Sequence, residues 1–396
     1  MKIAYYTNYV GKEFARKYCA DVKYAISGPL KSQGIARALM SAGNEVTIFS
    51  AGITNCNTVI TPFSEVEIYP EGELHIHYPK ILSLRRRGPI NDYKVHKLLA
   101  EYDRLEKYDA YLYYNPYIGS ALNLRIFKNR LKILEYEDNV YNKYVAGAQN
   151  PFERIRGRIL KYVVRHTDAA LVVCKGMFSD NEVQHRILTP GVINEDVLNA
   201  ISYKEHHLSH DARVKIILTG GTGYDKGSDI IMEALQYVET PCSLDFYTNG
   251  TFYEKAQTLI ASVPERHEVN IKGYLPHGEL MKVLDADGDI LLSTTRSMGV
   301  AAQSAGFPFK IMEYAAIGRP IISSELAKLD DEFNERVNYY EGDDPVNLAN
   351  AIDAVVRNYD VCSHKAQELR EIVLGRYTIK GLGKQLKTFL DELNNN

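Results

Sequence analysis

The stretch from Ser304 to Pro320 contains the residues whose types and spacing most clearly suggest ligand chemistry. Gly306 allows a tight turn, and Pro308 suits a first helical position because it has no N–H to leave unpaired. A loop that leads into a helix N-terminus presents unpaired N–H groups, which favour an anion. Lys310 adds a positive charge, and Glu313 lies one turn later on the same face. The pattern predicts a site for an anion beside a diol, as in the phosphate and ribose of a nucleotide.

A second loop with the composition of an anion site spans residues 219–227 and reads Thr-Gly-Gly-Thr-Gly-Tyr-Asp-Lys-Gly. Glycines such as Gly221 let backbone amides approach a phosphate closely, and Lys226 adds charge before the next helix. The loop is not a P-loop, because its lysine precedes the glycine, and it lacks the third glycine of GxGxxG. It therefore predicts anion binding outside those two motifs.

An alternating series of strands and helices must position these loops. A strand at 3–6, a helix that ends at Gly43 and a strand at 45–49 form a βαβ unit, which implies parallel pairing. Further strands are predicted at 111–114, 132–135, 169–173, 214–219, 243–248, 268–273, 289–293 and 319–323. Later helices are predicted at 228–237, 253–262, 278–286, 308–317, from 345, at 363–374 and at 379–393.

The alternation predicts an α/β fold with two doubly wound, Rossmann-like domains, at residues 1–200 and 201–378. Residues 195–212 are polar and aperiodic, and we interpret them as the interdomain linker. Ligands of such sheets bind beyond the carboxyl ends of strands, where loops enter helices. Gly28 and the Gly306 loop both stand at such positions, so we expect the ligand in a cleft between the domains.

Composition excludes several classes of protein. A chain of 396 residues exceeds the usual size of one core, and its net charge of −3 gives no pull towards nucleic acid. The 5 cysteines are scattered and form no CxxC, which favours reduced thiols and a cytoplasmic setting. No run reaches the ~18 apolar residues that a membrane span needs.

Several motifs, taken in order, resemble the nucleotide-sugar-dependent glycosyltransferases of GT-B fold, in particular the retaining family-4 type. Residues 41–47 (SAGNEVT) are similar to that family's "GHEVTV", and 167–174 (TDAALVVC) to its "aDaviavS" strand. Residues 189–192 (TPGV) resemble the "ipnGvd" segment, and 225–227 (DKG) the "KG" turn. Residues 271–275 (IKGYL) resemble the loop beside the base, and 304–320 the "EGFGxxxxEAMAxGxPVI" block. The resemblance covers nearly the whole chain and implies two domains facing across a cleft, with the last helix (379–396) packing back on the first, acceptor-binding domain.

The resemblance also implies roles for single residues. Glu313 matches the glutamate that holds the donor ribose, and Lys226 the lysine that binds the diphosphate. Gly28 matches the glycine of the first domain that approaches the phosphate and sugar. The remaining donor contacts implied are the backbone at Gly306 and Phe307, and Tyr274 and Leu275 against the base.

Two departures from the family pattern concern the donor sugar. The first glutamate of the E-x7-E pattern falls on Ala305, and the arginine that precedes the lysine falls on Gly221. Lys310 can supply the lost positive charge, and Ser304 or Gln303 some of the lost sugar contacts. The identity of the sugar stays open.

The family mechanism implied is electrostatic and needs no metal or other cofactor. Lys226, Lys310 and helix-end amides would stabilise the departing diphosphate, which itself takes the acceptor proton. Glu137, after a strand of the first domain, could orient the acceptor hydroxyl, or could belong to a solvated acidic loop. The run Asp285–Asp289 could suggest a metal site, but we interpret it as a helix end that turns into a strand.

The alternatives differ in what happens to the donor. A nucleotide-sugar epimerase would use it without an acceptor, and a non-catalytic partner subunit would leave it unchanged. The partners expected are a nucleotide sugar and a glycan or lipid-linked acceptor. The basic helix 152–165 could touch the inner face of the membrane, although an ordinary surface helix has the same alternation of basic and apolar residues.

Overall fold

A computed structural model describes residues 1–18, 27–50, 60–81, 88–116, 118–137, 150–174, 183–202, 206–208, 213–248, 254–297 and 307–395. The chain forms two compact units. Unit 1 comprises Met1–Val192 and Tyr377–Asn396, and unit 2 comprises Ile193–Arg376. None of the helices in the described ranges combines the length and apolarity needed to cross a lipid bilayer.

Unit 1 is built on a sheet of eight strands in the order β3-β4-β2-β1-β5-β6-β7-β8, all parallel except for β3 against β4. The strands are β1 (Lys2–Thr7), β2 (Glu45–Ser50), β3 (Phe63–Tyr69), β4 (Gly72–Tyr78), β5 (Ala110–Tyr114), β6 (Leu131–Tyr136), β7 (Ala169–Val172) and β8 (His185–Leu188). The central strand β1 is buried along almost its whole length, which explains its continuous apolar sequence. The edge strand β3 alternates buried and exposed residues instead.

Helices flank this sheet and supply its core. They are α1 (Lys12–Tyr18), α2 (Ser27–Ser41), α3 (Gly88–Glu106), α4 (Ile118–Asn123), α5 (Pro151–Arg165) and, from the end of the chain, α14 (Ile379–Asn395). α14 packs along α2, and its apolar side chains, including Leu382, Leu386 and Leu390, are buried in the core of unit 1. Gly383 permits the close approach, because a Cβ there would lie 2.7 Å from the carbonyl oxygen of Ala38.

Unit 2 contains a sheet of six parallel strands in the order β11-β10-β9-β12-β13-β14. They are β9 (Val214–Thr219), β10 (Cys242–Tyr247), β11 (Glu268–Ile271), β12 (Ile290–Ser293), β13 (Ile321–Ser324) and β14 (Asn338–Tyr340). The helices are α6 (Glu195–Ala200), α7 (Ser228–Ala234), α8 (Glu254–Leu259), α9 (His277–Asp287), α10 (Lys310–Ile317), α11 (Asp331–Asn334), α12 (Pro345–Arg357) and α13 (Tyr359–Tyr377). The predicted α/β class with two doubly wound, Rossmann-like sheets is therefore confirmed.

The prediction that residues 195–212 form a linker is wrong for its first part. Glu195–Ala200 is helix α6, whose N-terminus is capped by the side chain of Asn194. Val197 and Ala200 are buried in unit 2, where α6 packs against α9 and α10. Six residues are too few to show helical periodicity, so tertiary packing stabilises this helix. Residues 203–205 and 209–212 lie outside the described ranges.

Both sheets reverse their winding next to their first strand. In unit 1 the chain fills one side of β1 with β2 to β4 and then continues on the other side from β5. In unit 2 it fills one side of β9 with β10 and β11 and continues on the other side from β12. The loops that leave the two strands at a switch point diverge, and the crevice between them is where open α/β sheets bind ligands.

Candidate functional site

The glycine loop after β9 lies at the switch point of unit 2. Gly220 has φ of +92° and its N–H donates to the carbonyl of Tyr247 at 2.9 Å. Tyr224–Lys226 then forms one turn of 3₁₀ helix, and Gly227 follows with φ of +63°. A Cβ at Gly227 would lie 2.2 Å from the carbonyl oxygen of Thr294, so only glycine fits. This turn places Lys226 at the carboxyl edge of the sheet.

Lys226 and Lys310 come together at this edge. Lys310 is the first residue of α10, after β12, and its Nζ donates to the carbonyl of Thr219 at the end of β9 (2.9 Å). Burial and the neighbouring ammonium of Lys226 lower the pKa of Lys310 to about 7. The Cα of Gly221 faces the same lysine, since a Cβ there would lie 3.5 Å from Cγ of Lys226. Two cations beside an exposed glycine loop form a site that an anion would stabilise.

Tyr314 holds α10 against β9. Its hydroxyl accepts from the N–H of Thr219 at 3.1 Å and lies 2.9 Å from the Thr219 side-chain oxygen. Tyr314 is fully buried, as are most of the side chains from Ile311 to Ile317. The helix that carries Lys310 and Glu313 is therefore fixed by the core of unit 2.

Glu313 accepts a hydrogen bond from a histidine. Nε2 of His277, at the start of α9, lies 2.7 Å from Oε1 of Glu313, and Nδ1 of His277 lies 3.3 Å from Oδ2 of Asp196 on α6. The hydrogen bond to Glu313, its charge and Asp196 raise the pKa of His277, against the opposing effect of burial. No hydrogen bond from the described residues reaches Oε2 of Glu313, which leaves this oxygen able to accept from a diol.

Unit 1 carries a polar cluster at its own switch point. Gly28 lies in the first turn of α2, after β1, and Lys31 follows one turn later with 1% of its surface exposed. Nζ of Lys31 lies 3.9 Å from Oε1 of the fully buried Glu135, and the Tyr5 hydroxyl donates to the other oxygen of Glu135. Burial raises the pKa of Glu135, and the charge of Glu137 acts in the same direction, whereas Lys31 lowers it.

Glu137 is close to this buried pair. Its N–H donates to Oδ1 of Asn115 at 3.0 Å, which fixes the backbone just after β6. Its Oε2 is buried and has no hydrogen-bond partner among the described residues. A buried carboxylate oxygen without a donor is costly, and a hydroxyl group of a ligand would satisfy it.

The comparisons with known proteins agree on the architecture. Residues 233–388 match the family model described as "Glycosyl transferase-like". Sucrose-phosphate synthase from Thermosynechococcus elongatus is similar over 100% of this chain and 99% of its own, with 16% identity and a TM-score of 0.70. Trehalose 6-phosphate synthase from Burkholderia multivorans is similar over 100% of this chain and 96% of its own, with 10% identity and a TM-score of 0.65. HepE from Anabaena, in complex with UDP, is similar over 99% of this chain and 100% of its own, with 11% identity and a TM-score of 0.65.

The chain has the GT-B fold. The family match, over residues 233–388, covers most of unit 2 and part of α14. The resemblance to glycosyltransferases of GT-B fold that the sequence shows is thereby confirmed. No curated protein shows a significant sequence match.

The GT-B fold brings together some of the residues predicted for the site. Lys226, Lys310 and the Gly221 loop are adjacent, and Glu313 lies one turn along α10 from Lys310. Tyr274 is exposed and Leu275 half-buried in the loop after β11. The Phe307 side chain is buried against Phe333, with ring centroids 6.2 Å apart, so only its backbone remains for ligand contact. Gly306, Ala305, Ser304 and Gln303 lie outside the described residues.

Three residues of the two clusters were missed in the sequence: His277, Asp196 and Lys31. His277 is the first residue of a helix that follows a strand, and Lys31 lies one turn after Gly28. Their positions after strands were the sequence signal that could have marked them as site residues. Their partners are distant in sequence, and pairs of this kind have no local pattern.

The aspartate run of unit 2 is a helix end, as predicted. α9 ends at Asp287, and β12 begins at Ile290. Asp285 accepts from the N–H of Ser202 at 2.9 Å, and Asp289 from the N–H of Lys215 at 2.6 Å. Within the described ranges, no three His, Cys, Asp or Glu side chains converge as metal ligands would.

Proposed function

We propose that the protein is a retaining glycosyltransferase that transfers a sugar from a UDP- or GDP-sugar to a hydroxyl group of a glycan, lipid-linked or small-molecule acceptor. The setting proposed is the assembly of bacterial polysaccharides or glycoconjugates in the cytoplasm. The observation that carries the proposal is the adjacency of Lys226 and Lys310 at the switch point of unit 2, one helical turn from Glu313.

The donor would occupy the carboxyl edge of the sheet in unit 2. Its diphosphate would lie against Lys226, Lys310 and the Gly221 loop, where two cations and exposed amides favour an anion. The ribose hydroxyls would donate to Oε2 of Glu313, whose Oε1 is held by His277. The base would lie against Tyr274 and Leu275. UDP is the nucleotide to test first, because the similar HepE structure contains it.

The chemistry proposed depends on charge that develops on the leaving group. As the glycosidic bond breaks, the diphosphate gains negative charge, and preorganised lysine ammonium groups stabilise it. We propose that the departing phosphate takes the proton of the acceptor hydroxyl on the same face of the sugar, which retains the configuration. The unpaired Oε2 of Glu137 supports a role in orienting that hydroxyl. Because lysines would supply the charge, we expect transfer to continue in EDTA.

Replacement of Glu313 tests the donor site. Glu313→Ala removes an acceptor for two ribose hydroxyls, worth about 1.5 to 3 kcal/mol for charged hydrogen bonds, so UDP affinity should fall roughly 10- to 100-fold. Isothermal titration measures the affinity, and circular dichroism verifies the fold. Glu254→Ala, at an exposed carboxylate in the first turn of α8, is the matched control. Unchanged UDP affinity in a folded Glu313→Ala protein would contradict the ribose assignment.

A panel of nucleotide sugars separates the proposal from its alternatives. Release of nucleoside diphosphate, with transfer or hydrolysis of a sugar of retained configuration, supports the glycosyltransferase. Formation of an epimeric nucleotide sugar would identify an epimerase instead. Binding without turnover of any donor, in the presence of candidate acceptors, would indicate a non-catalytic subunit.

A further inference from the structure

Helix α5 in unit 1 leaves several large apolar side chains exposed to solvent. Phe152 has 84% of its surface exposed, Ile155 55% and Tyr162 45%. The opposite face of α5 is already packed, through Gly157, Leu160, Val163 and Val164. A surface helix needs one apolar face, and this helix has two.

The exposed apolar residues form one stripe. Phe152, Ile155 and Tyr162, together with the half-buried Ile159, follow one another at intervals of 3 or 4 residues, which places them along one side of the helix. Single exposed apolar residues are common, but a continuous stripe marks an interaction site.

Cations flank this stripe on its solvent side. Arg154, Arg158, Lys161 and Arg165 are all exposed, and none of the four has an ion-pair partner among the described residues. Arg125, beside α4, is also exposed. Glu153 is the one acidic residue within α5.

A groove between α4 and α5 is lined by residues of both the apolar stripe and the flanking cations. It has a volume of about 420 Å³ and is lined by Ala121, Leu122, Arg125, Arg158, Ile159 and Tyr162. The other four lining side chains are apolar or aromatic, and the two charged ones are both arginines, which bind phosphate in two-pronged geometry.

We propose that this α5 face docks on a bilayer of anionic phospholipid. Phe152, Ile155 and Tyr162 would enter the boundary between headgroups and acyl chains, and the flanking cations would bind lipid phosphates. The groove would take one anionic headgroup on Arg125 and Arg158.

Other occupants fit the α5 face less well. A second copy packed face to face would bring the arginines and Lys161 of both chains together, and like charges oppose such an interface. A nucleic acid would pair with the cations but would leave the apolar stripe in water. An anionic membrane satisfies both the stripe and the cations.

Vesicle sedimentation with the full-length protein tests the proposal. We expect the protein to sediment with vesicles of phosphatidylglycerol and phosphatidylcholine and to stay in solution with pure phosphatidylcholine. Salt should weaken the binding, because it screens the cations.

Two variants with matched controls separate the contribution of the cations to membrane binding from that of the apolar stripe. Arg154→Ala/Arg158→Ala should weaken binding about 25-fold, since each cation near an anionic surface contributes about fivefold. Phe152→Ser should weaken it about tenfold. The controls are Leu105→Ser, at an apolar residue that is 77% exposed on α3, and Lys282→Ala/Lys384→Ala, at exposed lysines outside this face. Both controls should bind like the unmodified protein.

Three results would overturn the proposal. One is the absence of binding to anionic vesicles at low salt. Another is equal loss of binding in the α5 variants and in the controls. The third is a stable dimer, by analytical ultracentrifugation, that Phe152→Ser dissociates.

Discussion

We expect Lys310 to couple donor binding to pH. Its pKa is about 7 in the free protein, and a bound diphosphate would raise it, so donor binding takes up a proton. Affinity should therefore be constant below about pH 6 and fall as pH rises above 7, by up to tenfold per unit. Titration calorimetry with a UDP-sugar between pH 6 and 8.5 measures this slope, because its diphosphate does not ionise in that range.

Arginine at position 310 provides the matched test. Lys310→Arg stays charged at every pH used, so its affinity should not change between pH 6 and 8.5. Lys226→Arg should keep the slope, because Lys310 is still present. The same slope in Lys310→Arg as in the unmodified protein would rule out Lys310 as its source.

The buried pair of Lys31 and Glu135 makes a different prediction, about stability. Lys31→Met leaves a buried carboxylate without its cation, which should cost about 3 kcal/mol in free energy of unfolding. Loss of Lys31 raises the pKa of Glu135 further above its value in the unfolded chain. Because the pKa of Glu135 is raised to about 7 with Lys31 present, the cost should change little below about pH 6 and grow as pH rises through 7 to 8. Urea unfolding at several pH values measures it.

A second substitution identifies the carboxylate responsible. Glu135→Gln combined with Lys31→Met removes the buried charge, so most of the lost stability at pH 8 should return. If the double variant is as unstable as Lys31→Met and its stability keeps the same pH dependence, Glu135 is not the cause.

Two glycines in successive helices, Gly383 in α14 and Gly375 in α13, differ in how closely other atoms pack against them. A Cβ at Gly383 in α14 would lie 2.0 Å from Oγ of Ser41 and 2.7 Å from the backbone oxygen of Ala38. Gly383→Ala should therefore destabilise unit 1 by about 2 kcal/mol, as overpacking does. At Gly375 in α13 no heavy atom lies within 4 Å of a Cβ, so Gly375→Ala should stabilise by roughly 0.5 kcal/mol. Thermal unfolding compares them, and equal effects would contradict this packing.

The sequence was informative where one element determines its own pattern. Buried parallel strands appear in the sequence as apolar runs and were predicted; β9 (VKIILT), with Ile216, Ile217 and Leu218, is an example. Helix α6 was missed because it has only 6 residues and depends on packing against α9 and α10. The switch point explains why Lys226 and Lys310 could be expected near each other, since their loops follow adjacent strands.

Long-range pairs could not be predicted in the same way. His277 and Glu313 are 36 residues apart, and their contact requires α9 and α10 to pack side by side. Lys31 and Glu135 meet only because β1, β5 and β6 are neighbours in the sheet. A lysine and a glutamate at those positions read equally well as surface residues.

At the scale of the whole molecule, the residues proposed to bind the nucleotide lie in a single unit. Lys226, His277, Lys310 and Glu313 all belong to unit 2, which is one continuous segment, residues 193–376. We expect this segment to fold alone and to bind UDP within about tenfold of the full chain (1.4 kcal/mol). Circular dichroism and titration calorimetry test this. A folded segment that does not bind UDP, while the full chain binds it, would show that unit 1 supplies an essential contact.

The packing of α14 on α2 has a consequence for the order of events on the ribosome. Residues 377–395 complete the core of unit 1, yet they are synthesised after every residue of unit 2. While residues 193–376 are translated and can fold, the nascent unit 1 therefore lacks α14, and the apolar face of α2 stays uncovered. Folding of this protein would finish with the unit whose synthesis began first.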